Sequence, residues 1–121
     1  MKQLTPDQLQ RPELSEYKAA EKMPVCIVLD NVRSGLNVGA IFRTCDAFSV
    51  ESIYLCGITV HPPHAEILKT ALGATESVTW KSLPDTMNAI DELLASGYSI
   101  LPVEQTDHAV NLDQINLTEL F

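Results

Sequence analysis

The sequence predicts an α/β fold, a mostly parallel sheet with helices on both faces. Three observations carry this. From Pro24 onward, short β-branched apolar runs alternate with segments of helical period. The helical segments have their own start and stop signals. Each link between successive apolar runs is also long enough for the crossover that parallel strands require.

The strand candidates are residues 25–30, 52–56, 77–80 and 98–103, and the helix candidates are 37–48, 63–72 and 84–96. Pro62-Pro63 precedes one helix, Ser82-Leu-Pro84-Asp85 opens another, and Gly73 and Gly97 close two of them. Upstream, Thr5-Pro6-Asp7-Gln8 reads as an N-cap, a proline at the first helical position and a Gln three residues after the cap. Pro12 interrupts that helix, and a second short one runs from about Pro12 to Lys22. Residues 1–23 are therefore expected to be a helical appendage to a main domain over 24–121. After Glu104 a weaker amphipathic pattern follows, through Val110, Leu112, Ile115, Leu117 and Leu120. With the fourth strand near residue 100, the sheet is expected to have an edge that a tail, a partner or further chain must cover.

At 121 residues and 45% apolar composition, the chain suits one domain with a real core. No run approaches the roughly 20 apolar residues of a membrane span, and the first residues lack the apolar stretch of a signal peptide. A soluble cytoplasmic protein is expected. Cys26, Cys45 and Cys56 lie in or beside apolar runs without Cys-x-x-Cys spacing, which favours buried thiols over disulfides.

The net charge of −8 argues against a general nucleic-acid binder. Its distribution softens that objection. Residues 1–24 carry four basic and four acidic side chains, residues 25–60 two and three, and residues 61–121 two and nine. A contact with RNA would have to use the N-terminal segment and the region around Arg33 and Arg43.

The junction at residues 25–48 is the most informative. Val25-Cys-Ile-Val-Leu29 ends in Asp30-Asn31 and passes through a polar loop into Asn37-Val-Gly-Ala-Ile-Phe-Arg-Thr-Cys-Asp-Ala-Phe48. Such a turn aims loop side chains and helix-terminal amides at one spot. An ordinary βα unit also accounts for these residues: Ile41, Phe42, Cys45 and Phe48 as a buried stripe, Gly39 for close helix-to-sheet packing, and Arg43 in solvent. Dinucleotide binding is disfavoured, since Gly35 and Gly39 are spaced G-x-x-x-G rather than G-x-G-x-x-G. No P-loop sequence occurs either.

The stretch from Leu29 to Thr44 resembles the first motif of the SpoU-type (TrmH) RNA ribose methyltransferases of the SPOUT class, whose core is Asn-x-Gly-Ala-x-x-Arg-Thr. A second block, Cys56-Gly-Ile-Thr59, Pro62-Pro63 and Lys69-Thr-Ala-Leu-Gly-Ala74, resembles the next βα unit of that family. The likeness runs from about residue 24 to about residue 106. It implies an RNA 2′-O-ribose methyltransferase acting on tRNA or rRNA with S-adenosylmethionine, homodimeric when full length. It also implies that Arg43 is the catalytic arginine and that Asn37 shapes the ribose site. Arg33 and Lys69 are candidate RNA contacts, although a solvated loop or helix face explains each as well. The family's later motifs, Gly-Asn/Ser-Glu-x-x-Gly and Ser-Leu-Asn-Val, thread its knot and hold the cofactor, and neither occurs in these residues. The expectation is thus a truncated SPOUT-like (α/β knot) domain lacking the knot, with the cofactor-binding residues elsewhere and little activity alone. The alternative is a catalytically silent module of this family that binds RNA or a protein.

His61-Pro-Pro-His64 near Cys56 lacks a fourth metal ligand at useful spacing, so no metal site is assigned. Asp85, Asp91 and Glu92 opposite Met87, Ile90, Leu93 and Leu94 read as an ordinary amphipathic helix.

Overall fold

The computed structural model describes residues 22–104. The appendage expected over 1–23 and the amphipathic pattern after Glu104 lie almost wholly outside these residues. The elements run in the order β1 (Met23–Asp30), α1 (Gly35–Ala47), β2 (Val50–Cys56), α2 (Ala65–Ala71), α3 (Ala74–Ser77), β3 (Trp80–Leu83) and α4 (Thr86–Ala95). The α/β class and the parallel sheet hold: β1 pairs with β2 and β2 with β3, both parallel, in spatial order β1-β2-β3. The chain divides into two compact units whose boundary falls inside α4, after Thr86.

In the first unit the strand period of two sorts side chains between faces. Ile27 lies opposite Ile53 and Leu29 opposite Leu55, all on one face. Against that face lie Val38, Phe42 and Cys45 of α1, Ile67 and Ala71 of α2, and Ala74 of α3. Phe42, Ile53, Leu55 and Ile67 are fully buried. Burial on this scale, at roughly 1.5–3 kcal/mol per large apolar side chain, is what fixes the register. On the other face Tyr54 pairs with Lys81, whose ammonium sits 4.9 Å from the ring centroid.

Helix starts follow their caps. Ser34 accepts from the Asn37 amide at 3.2 Å, so α1 begins at Gly35, two residues ahead of the expectation. His64 accepts from the Glu66 amide at 3.3 Å and α2 begins at Ala65. Each histidine of the His-Pro-Pro-His stretch thus has its Nδ1 engaged, since His61 contacts the Pro62 carbonyl at 3.0 Å, and His61 also stacks on Trp80.

Three sequence expectations are corrected. The third strand lies at 80–83 rather than 77–80, because residues 74–77 wind into a short helix and Val78 goes into the core. Residues 98–103 form no strand. Tyr98 donates its amide to the Leu93 carbonyl and Gly97 its amide to that of Leu94, a Schellman closure with Gly97 at φ 92°. The chain beyond has no ladder partner among the described residues, and Val103 is 90% exposed. Finally, Gly39 serves helix-to-helix contact: a Cβ there would overlap the Thr70 hydroxyl and the Ile67 carbonyl of α2.

In the second unit, α4 buries Ala89 and Leu93 and exposes Met87 and Leu94, a narrower apolar stripe than the sequence suggests.

Candidate nucleic-acid interface

The loops leaving β1 and β2 are tied to each other at the C-terminal edge of the sheet, where open parallel sheets build their sites. Asn31, at φ 56°, accepts the Ile58 amide at 2.9 Å. The buried Thr59 hydroxyl accepts the Val32 amide at 2.9 Å, and its proton lies within reach of the Cys56 carbonyl at 2.7 Å and the Leu29 carbonyl at 3.1 Å. Gly57, at φ 64°, leaves the room that the Asn31 side chain occupies. Asp30 takes a 2.6 Å bond from the Thr86 hydroxyl. These bonds hold the Arg33-Ser34 loop and so aim α1.

Along α1, residues Ala40, Arg43, Thr44 and Ala47 recur at helical spacing on the exposed side. They meet Lys69, Thr70 and Leu72 of α2 and its cap across a groove of about 530 Å³, with Phe48 at its end. Two contacts set the helix spacing: the Thr70 hydroxyl donates to the Leu36 carbonyl at 2.8 Å, and Gly39 admits α2 closely. Arg43 and Lys69 thus share one wall-to-wall groove. Among the described residues neither has an ion-pair partner.

Arg33 and Asn37 are both exposed but do not line the groove. On an ideal helix Asn37 sits about 9 Å along the axis from Arg43 and about 120° around it. It lies on the stripe of Ala40 and Thr44, one turn toward the N-terminus.

Phe48 and Leu72 were not anticipated. The helical period places Phe48 on the buried stripe with Phe42 and Cys45, yet it is 61% exposed. As the C-cap residue of α1 it leaves the helical course, and Ser49 at φ 54° turns the chain toward β2. The small residues at Ala40 and Ala47 were the available sequence signal, since they leave space between flanking long side chains.

Cys45 and Cys56 offer no nucleophile at neutral pH. Burial pushes the Cys45 thiol up to about 11. Cys56 is raised by burial and then by the nearby Asp30 and Asp85 carboxylates, with a Thr86 hydrogen bond opposing. Between about pH 9 and pH 11 the unfolded Cys45 ionises while the folded one keeps its proton, so the folded state loses stability as pH rises through that window. The urea midpoint should fall over this range by more in the wild-type chain than in Cys45→Ala. Equal slopes would show that Cys45 does not titrate as its burial dictates.

The family model described as "SpoU rRNA Methylase family" matches residues 24–120. The chain belongs to the SpoU rRNA methylase family. Relatives include the 23S rRNA (guanosine-2'-O-)-methyltransferase RlmB of Vibrio cholerae, 33% identical over 88 residues that cover 70% of this chain and 36% of that protein. An uncharacterized tRNA/rRNA methyltransferase of Haemophilus influenzae is 29% identical over 91 residues, 75% of this chain and 26% of its own length. One from Synechocystis is 29% identical over 87 residues, 72% and 23%. The chain spans about a quarter to a third of the length of these curated relatives.

Proposed function

We propose that this SpoU-family chain is the acceptor-side part of an S-adenosylmethionine-dependent RNA 2′-O-ribose methyltransferase acting on tRNA or rRNA. On this reading residues 24–121 are part of the catalytic domain and residues 1–23 are its appendage, and the full-length enzyme is a cytoplasmic homodimer. The observation that carries the reading is Arg43, which lies in the family-matched segment, on the exposed side of α1, in one groove with Lys69.

The chemistry needs a weakly acidic hydroxyl made nucleophilic and held in place. Guanidinium groups are too basic to give up a proton in ordinary circumstances, so an arginine here is no simple base. Arg43 holds the phosphate next to the target ribose through two parallel N–H donors and stabilises negative charge growing on the 2′-oxygen, while the phosphate or a water takes the proton. Lys69 adds a second positive charge along the backbone. On this reading Asn37 helps shape the site of the target ribose, and Arg33, in the loop before it, takes a further phosphate.

S-adenosylmethionine supplies the methyl group in this reading. The described residues do not fit as its pocket. No buried side-chain nitrogen or oxygen among them lacks a hydrogen-bond partner, and the polar groups at the strand ends are spent on one another. The donor site is assigned to the family motifs missing from these 121 residues.

The test joins residues 1–121 to the segment of a SpoU relative that carries both missing motifs and supplies radiolabelled methyl donor with tRNA and rRNA. The fusion should place label on ribose, seen as alkali-resistant dinucleotides, and the unfused chain should place none. Label on bases alone, or equal labelling by the unfused chain, would overturn the reading.

A further inference from the structure

We propose that the groove between α1 and α2 holds an unpaired RNA nucleotide whose base stacks on Phe48, with Arg43 and Lys69 taking the flanking phosphates. The inference rests on the RNA reading above and adds to it a base platform and a preference for single strands.

Phe48 and Leu72 are 61% and 65% exposed, and both sit at helix ends where the backbone turns outward. Leu72 does so at φ 52° and ψ 47°, a left-handed conformation that a residue with a Cβ adopts only at a cost. Ser49, next to Phe48, is left-handed too. Two strained turns presenting two large apolar side chains to solvent are poor economy for folding alone, and strain of this kind collects at binding sites.

The charge is of the sign a nucleic acid needs. In a chain of net charge −8 with eight Lys and Arg in all, two of them line this one groove, and among the described residues no carboxylate does. Its volume of about 530 Å³ lies in the range of small-ligand sites, and its apolar part is confined to Phe48, Leu72 and two alanines. A stable protein partner would need a contact surface far wider than this groove. An exposed aromatic sharing a groove with two cations is instead the pattern of single-strand recognition.

The lining also says how the base is read. The Thr44 hydroxyl donates to the Ala40 carbonyl at 3.1 Å and that of Thr70 to the Leu36 carbonyl at 2.8 Å. Neither proton is left for a base edge. The two hydroxyl oxygens can still accept from a base edge but donate nothing to it, so the groove holds a base chiefly by its face, and a duplex, whose bases are stacked on each other, does not fit.

Fluorescence anisotropy at low ionic strength measures this with the full 121-residue chain and labelled 12-nucleotide RNAs of different sequence, beside a duplex of the same length. The wild-type chain should bind the single strands with similar affinities and the duplex more weakly. Phe48→Ala and Phe48→Leu should each weaken single-strand binding about tenfold, and Phe48→Trp should restore it. Leucine keeps the bulk without the π face, so this series separates stacking from simple apolar docking. Phe48 is exposed, so the variants should fold, which circular dichroism checks. If all three Phe48 variants bind like wild type while Lys69→Ala weakens binding, the platform is wrong and the RNA reading stands. If the wild-type chain binds no RNA, both fall. If sedimentation shows that Phe48→Ala breaks a dimer and leaves RNA binding unchanged, the groove is a contact between two copies and the proposal is overturned.

Discussion

Gly39→Ala should destabilise the chain by about 2 kcal/mol, even though alanine is the better helix former by roughly 1 kcal/mol. The added Cβ would overlap the Thr70 hydroxyl and the Ile67 carbonyl and come within 3.1 Å of the Ala71 amide. Two of these three atoms are backbone of α2 and cannot rotate away. Ile67 is fully buried, so relief requires α2 to move off the sheet and open the core. For a domain of this size the melting temperature should drop by roughly 8–16 °C. In a Thr70→Ala background the same substitution should cost less, because one overlap is gone while the Ile67 carbonyl remains. A Gly39→Ala protein as stable as wild type, or more so, would mean that α1 and α2 do not approach at this point. The groove that unites Arg43 with Lys69 would then need a different geometry.

That dependence marks what the sequence could and could not disclose. The first two strands were legible because their β-branched runs are fully local signals, and Ile27, Leu29, Ile53 and Leu55 meet in the register that burial demands. Three of the four helices were legible to within two residues, from signals such as Pro62-Pro63 before α2 and Gly97 after α4, while α3 was not. Strand pairing is a property of partners, so the apolar run at 98–103 carried the strand pattern without being a strand. Helical period assigned Phe48 to the core because it cannot register that a helix stops one residue earlier. Arg43 stood out within a motif and Lys69 within another, but their sharing of a groove depends on Gly39 and the Thr70-to-Leu36 bond, contacts between helices that no local pattern encodes. The resemblance to SpoU enzymes found the family, and the packing found the surface.

Arg43→Ala, in the fusion that restores the donor motifs, should lower kcat by a factor of about 10² to 10³ while leaving the fold intact. The side chain is exposed and has no ion-pair partner among the described residues, so its removal should shift the melting temperature by little. Arg43→Lys discriminates between the roles a cation can take. Lysine keeps the charge and loses the planar two-donor fork, so turnover should fall to an intermediate level. A guanidinium does not act as a base, so the low-pH limb of the pH–rate profile, where a proton-accepting group shows itself, should keep its position in Arg43→Lys. Lys69→Ala should act differently. It should raise KM and flatten the salt dependence of RNA binding by about one unit of slope, with kcat nearly unchanged. Arg43→Ala retaining most of its turnover would remove the arginine from the chemistry. A pure KM effect would demote it to the same phosphate-holding part as Lys69, and the developing charge on the ribose oxygen would need another donor.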